Sequence, residues 1–263
     1  MGFRITRYIQ EGRMKLYRLA NKNDAKNIVS LFTSEGNPYH WTLSKWNHYY
    51  MNYPEGKPVS VVALDNGVIG HYGMLPVRIN QYNAMLGVHA FVKKEYRGSG
   101  VIFNLMYLVN KYCSDNGIDF ICGFNNHNFA KICKSILKWN IAGYLLFDDV
   151  SYFDNQNYQD RYRFIYSQKW YQWKFGSLKP FYTKEYIKDG KRLTQLLKTN
   201  RTNIINDSIN LWNPERYTLT EPDKWNQPFL IKVINNKIDK NVLDIRNWYI
   251  EMGDSDTFEY EGD

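Results

Sequence analysis

Residues 92 to 100 gather the groups best suited to holding a ligand: Val92, and after it Arg97-Gly98-Ser99-Gly100. An apolar stretch ends at Val92, a turn of small residues follows, and a helical pattern begins at Val101. Gly98 and Gly100 let the main chain come close to a ligand, while the N–H groups of a helix start point outward. With the helix dipole they form an anion cradle suited to a diphosphate, and Arg97 adds a fixed cation. A tight turn with a surface arginine would read the same way in isolation, so the surroundings must decide. No Ser/His/Asp or Cys/His arrangement for a protein nucleophile stands out. Cys113, Cys122 and Cys133 are odd in number and lack metal-ligand spacing, which fits reduced thiols in a cytoplasm and predicts no metal.

The elements around this loop alternate. Met14 to Leu19 reads as a strand, and Asn23 is placed to cap a helix with Ala25, Ile28, Val29 and Phe32 on one face. The loop from Ser34 to Trp41 leads to a second helix around Trp46. Val59–Leu64 and Val68–Ile79 flank Asn66-Gly67, a strong hairpin signal because both turn residues must take positive φ. Ala84–Val92 is a third strand of this group. A helix from Val101 to about Asn116 carries Ile102, Leu105, Met106, Val109 and Cys113 as one stripe and ends at Gly117. Ile118–Phe124 reads as a buried strand, Asn128–Lys138 as a helix and Gly143–Phe153 as a strand. Tyr152–Tyr162 looks like a connection. Beyond it lie a helical region near Lys184–Lys198 and strands at Phe229–Ile234 and Trp248–Met252. The division expected is an N-terminal extension (1–13), a main domain (14–153) and a smaller C-terminal α/β domain (160–263).

Bulk properties bound the reading. At 263 residues with 44% hydrophobic and 23% charged content, the chain is a folded globular protein. No apolar run reaches the roughly 20 residues of a membrane span, so membrane insertion is not expected. The net charge of +8 suits anionic partners, among them nucleic acid, CoA and nucleotide-linked sugars, or simply solubility.

The stretch Val92-x4-Arg97-Gly-Ser-Gly100, after three antiparallel-looking strands, resembles the acetyl-CoA motif of the GNAT superfamily of acyl-CoA N-acyltransferases, written Q/R-x-x-G-x-G/A. Ile102 stands where that motif has Gly or Ala. Cys122-Gly-Phe-Asn-Asn126 with the helix through Ala130 resembles the fifth strand and following helix. Trp46-x3-Tyr50-x3-Pro54-x-Gly56, Tyr72-Gly-Met-Leu-Pro76 and Trp248-Tyr-Ile-Glu-Met-Gly-Asp-Ser-Asp256 resemble the subset found with surface-polysaccharide genes.

The resemblance implies a mixed α/β (α+β) fold, a mostly antiparallel sheet with helices on both faces. It implies acyl-CoA as the donor and direct attack by an acceptor amine. Ala90, Phe91 and Val92 would splay from the strand at Ile118–Phe124, with a backbone N–H near Ala90 or Phe91 on the thioester oxygen. Arg97, Gly98, Ser99, Gly100 and Val101 would hold the pyrophosphate, and Asn125 or Asn126 the pantetheine arm. His89 is the first candidate base, His40 the second, and Asp254 or Asp256 the third. His40, Trp41, Trp225, Asp254 and Asp256 are the candidate acceptor contacts. Many family members place a Tyr on the helix after the fifth strand to protonate the leaving thiolate; the corresponding place here is near Cys133 or Lys134, and no Tyr is there.

The polysaccharide resemblance implies a nucleotide-linked amino sugar as acceptor, such as a dTDP-3-amino-3,6-dideoxyhexose. Trp170, Trp173, Trp212, Trp225 and Tyr217 are available to stack on its base, or to pack the core. A protein or peptide N-acetyltransferase would share the donor motif. A nucleic-acid-binding module is disfavoured by the lack of any recognised motif, so no nucleic-acid partner is expected. The pattern leaves the oligomeric state open.

Overall fold

The sheet opens with a hairpin, β1 (Thr6–Gln10) against β2 (Arg13–Leu19), in a computed structural model that describes residues 6–10, 13–34, 41–146, 161–175, 183–188, 191–198, 201–205 and 226–250. Part of the expected N-terminal extension is thus a strand. Asn21, rather than Asn23, caps the next turn, in a reciprocal box with Asp24, and Arg18 grips Asp24 through two hydrogen bonds of 2.7 and 2.8 Å. Helix α1 (Ala25–Thr33) follows, then α2 (Leu43–Tyr50), whose first turn is capped by the Thr42 hydroxyl accepting from the Lys45 amide.

Strands β3 (Val59–Leu64) and β4 (Val68–Ile79) have the expected bounds, and Asn66 and Gly67 take φ of 52° and 139° in the turn between them. Strand β5 (Tyr82–Val92) pairs antiparallel with β4, and β6 (Phe120–Phe124) pairs parallel with β5. Between β5 and β6 runs α3 (Val101–Asp115); α4 (His127–Ser135) follows β6 and leads to β7 (Asn140–Leu146).

The later chain departs from expectation. Strand β8 (Tyr162–Ile165) adds to the end of β4, and α5 (Gln168–Phe175) follows it. The helix expected near Lys184–Lys198 is a hairpin of β9 (Thr183–Lys188) and β10 (Lys191–Lys198), extended by β11 (Arg201–Ile205) into a small separate sheet. Asp189-Gly190, a strong hairpin dipeptide, lies between the first two and outweighs the helical propensity of Lys, Leu and Gln. Strand β12 (Asn226–Val233) does not stay with the C-terminal region. It pairs antiparallel with both β6 and β7, giving the order β1-β2-β3-β4-β5-β6-β12-β7. The short β13 (Trp248–Tyr249) pairs with β8.

Helices cover both faces. One hydrophobic cluster joins the sheet to α1 and α2, with Phe32, Trp46, Tyr49 and Tyr50 buried there. The other joins it to α3 and α4, where Val101, Leu105, Met106, Val109 and Cys113 are at most 1% exposed. Burying a side chain of that size contributes roughly 1.5–3 kcal/mol, so this stripe fixes where the N-terminus of α3 points. Gly70 on β4 lets the helix start come close, since a Cβ there would lie 2.8 Å from Val101.

Candidate active site

Strands β5 and β6 share the rungs Ala84–Phe120, Met85–Ile121 and Leu86–Cys122, and then part. Beyond Leu86, β5 keeps its pairing with β4 alone, while β6 keeps β12. The splay expected between Ala90-Phe91-Val92 and the 118–124 strand is therefore present. Two glycines stand where the strands separate. A Cβ on Gly87 would lie 2.0 Å from the Tyr72 hydroxyl, and one on Gly123 would lie 3.1 Å from Asn125 Nδ2 and 3.4 Å from the Gly87 carbonyl oxygen. The floor of the cleft on the α3/α4 side is bare backbone, with a buried phenol and a carboxamide against it. An extended ligand can pair with such an unpaired strand edge as another strand would.

A bulge aims the edge of β5. His71 pairs with Phe91 and Gly73 with Val88, so Tyr72 faces both His89 and Ala90. His89 takes φ of 52°, a left-handed conformation that costs a non-glycine residue about 1–2 kcal/mol. Side chains hold it there. The His71 Nδ1 donates to the His89 carbonyl at 2.9 Å, and the Tyr50 hydroxyl lies 3.0 Å from His89 Nδ1. The edges of Trp41 and Tyr49 pack on the His89 ring at centroid distances of 4.6 and 4.8 Å. His89 Nε2 is buried and has no hydrogen-bond partner among the described residues. Burial above all, then the charges of His71, Lys45 and Lys174, hold the His89 pKa well below the usual histidine range. Burial also pulls His71 down to about 4, against the opposing hydrogen bond to the His89 carbonyl.

The glycine loop sits at the far end of β5. Gly98 and Gly100 have φ of 83° and 79°, and Gly100 begins α3 with no side-chain cap. A Cβ at Gly98 would meet nothing within 4 Å, so the loop is open toward solvent. Arg97 Nε donates to the Val92 carbonyl at 2.9 Å, and its guanidinium lies 5.7 Å over the Phe91 ring. The Ser99 hydroxyl donates to the Tyr96 carbonyl and accepts from Lys15 Nζ at 3.3 Å. Lys15, on β2, is a cation at the loop that sequence reading misses, because it joins Ser99 across 84 positions.

Ala90 is exposed, Phe91 and Val92 are half-buried beside the cleft, and Val101 packs inward at the helix start. The paired asparagines divide their work. The Asn126 side chain caps α4 by accepting from the Phe129 amide at 2.9 Å, which leaves Asn125 as the carboxamide at the cleft. Trp41 joins His89, with Lys45 Nζ 5.0 Å over its ring. His40, Trp225, Asp254 and Asp256 lie outside the described residues. Trp170 stacks on Tyr166 at 3.5 Å and Trp173 on His48 at 4.5 Å, so both pack within the protein. The three cysteines are buried free thiols, and no group of His, Cys, Asp or Glu placed to hold a metal occurs among the described residues. No helix of the described residues is long and apolar enough to cross a membrane.

No protein-family model matches the chain, and no curated protein does. Solved structures do. A probable N-acyltransferase from Enterococcus faecalis aligns over 84% of this chain and 73% of its own, at 10% identity and a TM-score of 0.57. A GCN5-related N-acetyltransferase from Kribbella flavida aligns over 83% of this chain and 72% of its own, at 10% identity and a TM-score of 0.56. A GNAT family N-acetyltransferase from Escherichia coli, solved with CoA, aligns over 51% of this chain and 73% of its own, at 17% identity and a TM-score of 0.42. The first two likenesses show the fold: a mixed, mostly antiparallel α/β sheet with helices on both faces, shared with GNAT N-acetyltransferases.

Proposed function

We propose that the protein transfers an acyl group, acetyl by default, from acyl-CoA to the amine of a nucleotide-linked amino sugar. A dTDP-3-amino-3,6-dideoxyhexose destined for lipopolysaccharide or capsule is the type of acceptor meant. The observation that carries the donor half is the alignment of three features along one strand. The β5/β6 splay leaves a backbone edge unpaired, the bulge at His89-Ala90 re-aims that edge, and the open glycine loop begins α3 where β5 ends.

These features suit CoA in its parts. The uncapped first turn of α3 offers its amides to the pyrophosphate, with Arg97 and Lys15 beside it. The cleft accepts the extended pantetheine arm, with Asn125 at its floor. The acyl thioester supplies an activated carbonyl; the amine nitrogen bonds to that carbon, the C–S bond breaks, and the proton lost by nitrogen ends on the CoA thiol. A backbone N–H near Ala90 or Phe91 would hold the carbonyl oxygen as it gains charge.

The acceptor half rests on the other face. His89, Trp41, Tyr49 and Tyr50 meet there, and the buried Lys45 and Lys174 put positive potential close to the imidazole. An aromatic surround with that potential suits an acceptor that carries both a ring and phosphates. A cytoplasmic location fits the buried free thiols and a CoA donor.

Two measurements test the reading. Calorimetry should detect CoA binding, and Gly100→Val should weaken it about tenfold or more, because a β-branched residue is strained at positive φ and its bulk narrows the cradle. Thiol release from acetyl-CoA should then appear with dTDP-amino sugars. No affinity for CoA removes the donor reading, whereas release with peptide amines alone moves the acceptor to proteins.

A further inference from the structure

We infer that His89 serves the acceptor as a neutral hydrogen-bond donor through Nε2–H, with Tyr50 as the residue that fixes this tautomer, so that His89 is not the base that deprotonates the amine. This rests on the acyl-transfer reading and sharpens it: the acceptor carries an oxygen lone pair, such as a sugar hydroxyl or carbonyl, opposite His89.

The argument is a count of protons. Tyr50 is 5% exposed, and His89 Nδ1, at 3.0 Å, is the hydrogen-bond partner of its hydroxyl among the described residues. Gly73 closes the other side of that oxygen, since a Cβ there would lie only 1.9 Å away. A buried phenol left without an acceptor is unfavourable, so the O–H points at Nδ1 and uses its lone pair. A neutral imidazole whose Nδ1 accepts must carry its proton on Nε2.

The surroundings keep the ring neutral. Lys45, Tyr49 and Tyr50 reach it from α2, His71 from β4 and Lys174 from α5; burial is the largest influence against its cation, and His71, Lys45 and Lys174 add to it. His71 shows the opposite arrangement. A carbonyl oxygen can only accept, so His71 holds its proton on Nδ1 and donates it to the His89 carbonyl. The two histidines thereby divide their roles: His71 secures the bulge, and His89 presents an N–H. That N–H is buried and has no partner among the described residues, and an acceptor oxygen at this position would satisfy it. A base at the same atom would need it bare.

The test begins with the protein alone. Long-range 1H–15N spectra of 15N-labelled protein at neutral pH, with His89→Gln assigning the signals, should show a protonated Nε2 and an unprotonated Nδ1 for His89. Tyr50→Phe, which removes only the hydroxyl, should shift His89 toward a mixture of tautomers while the His71 signals stay put. An unprotonated Nε2 in the wild type overturns the inference. Kinetics give the second arm. Gln keeps an N–H donor but cannot take up a proton, so His89→Gln should stay within about tenfold of wild type in kcat/KM. A loss of about 10²–10⁴-fold, matching His89→Ala, is what removal of a base would produce and also overturns it. The tautomer requires no CoA, so failure of the donor reading would show in calorimetry and leave the spectra unaffected.

Discussion

The glycine loop and the aromatic surround of His89 both adjoin the C-terminal part of one bulged strand, where His89 stands shortly before Val92, and are built by opposite means. The loop from Val92 to Val101 is contiguous and depends on main-chain amides and positive φ, with Arg97 exposed on it and the buried Lys15 of β2 against Ser99. The surround of His89 draws on α1, α2, β4 and β5 and depends on large buried rings, one of which, Tyr50, has its hydroxyl laid over Gly73. On the proposed reading, a diphosphate looks alike on every CoA, so a backbone cradle open to solvent would be enough to hold it. An acceptor differs from one enzyme to the next, and side chains from several elements can be exchanged singly to fit it. The difference predicts that perturbations can be made to fall on one region and spare the other.

Acid should have the largest effect, and it should fall on the His89 side. Folded protein keeps His71 neutral down to about 4, whereas the unfolded chain takes up that proton near 6.5. Between those values the unfolded state binds more protons, so stability is full above about pH 6.5 and declines as pH falls toward 4. His71 alone accounts for roughly 3 kcal/mol by the lower limit, and His89, displaced in the same direction, adds to it. Urea unfolding across this range measures the slope; a flat profile would mean that the buried imidazoles are already charged. Gly73→Ala should come next. The added methyl meets the Tyr50 hydroxyl, with a loss of about 1–3 kcal/mol in unfolding free energy and little change in CoA affinity. The smallest effect belongs to Arg97→Ala, an exposed cation whose Nε donates to the Val92 carbonyl and whose guanidinium lies over Phe91. CoA affinity should fall about two- to fivefold and its salt dependence should soften, with the His89 tautomer unaltered. A large loss there would show that the arginine, rather than the amides, dominates the cradle.

The same contrast explains what could be read from residues alone. Strands β3 and β4 and the start of α3 have their expected bounds because Asn66-Gly67 and Gly98–Gly100 are local signals with a single backbone solution. The splay was legible through resemblance only, since no residue announces that a strand will lose its neighbour. Tyr50 reads as one more core aromatic until the fold lays its hydroxyl over Gly73. His71 reads as an unremarkable strand residue until the bulge presents it with a carbonyl. The hairpin at residues 183–198 was missed because the charged and aliphatic residues around Asp189-Gly190 fit a helix equally well by composition. Strand β12 could be read as a strand but not assigned to its place, for pairing partners some hundred residues apart leave no trace in periodicity.

That placement of β12 has a consequence for synthesis. The strand occupies the slot between β6 and β7, so one wall of the cleft lacks its outer neighbour until residues 226–233 have left the ribosome. Once β7 has been made and until β12 follows, the edges of β6 and β7 that β12 covers are exposed, a state open to misassociation and to chaperones. The cleft would then be completed in one step, when residues 226–233 take their slot, rather than growing strand by strand.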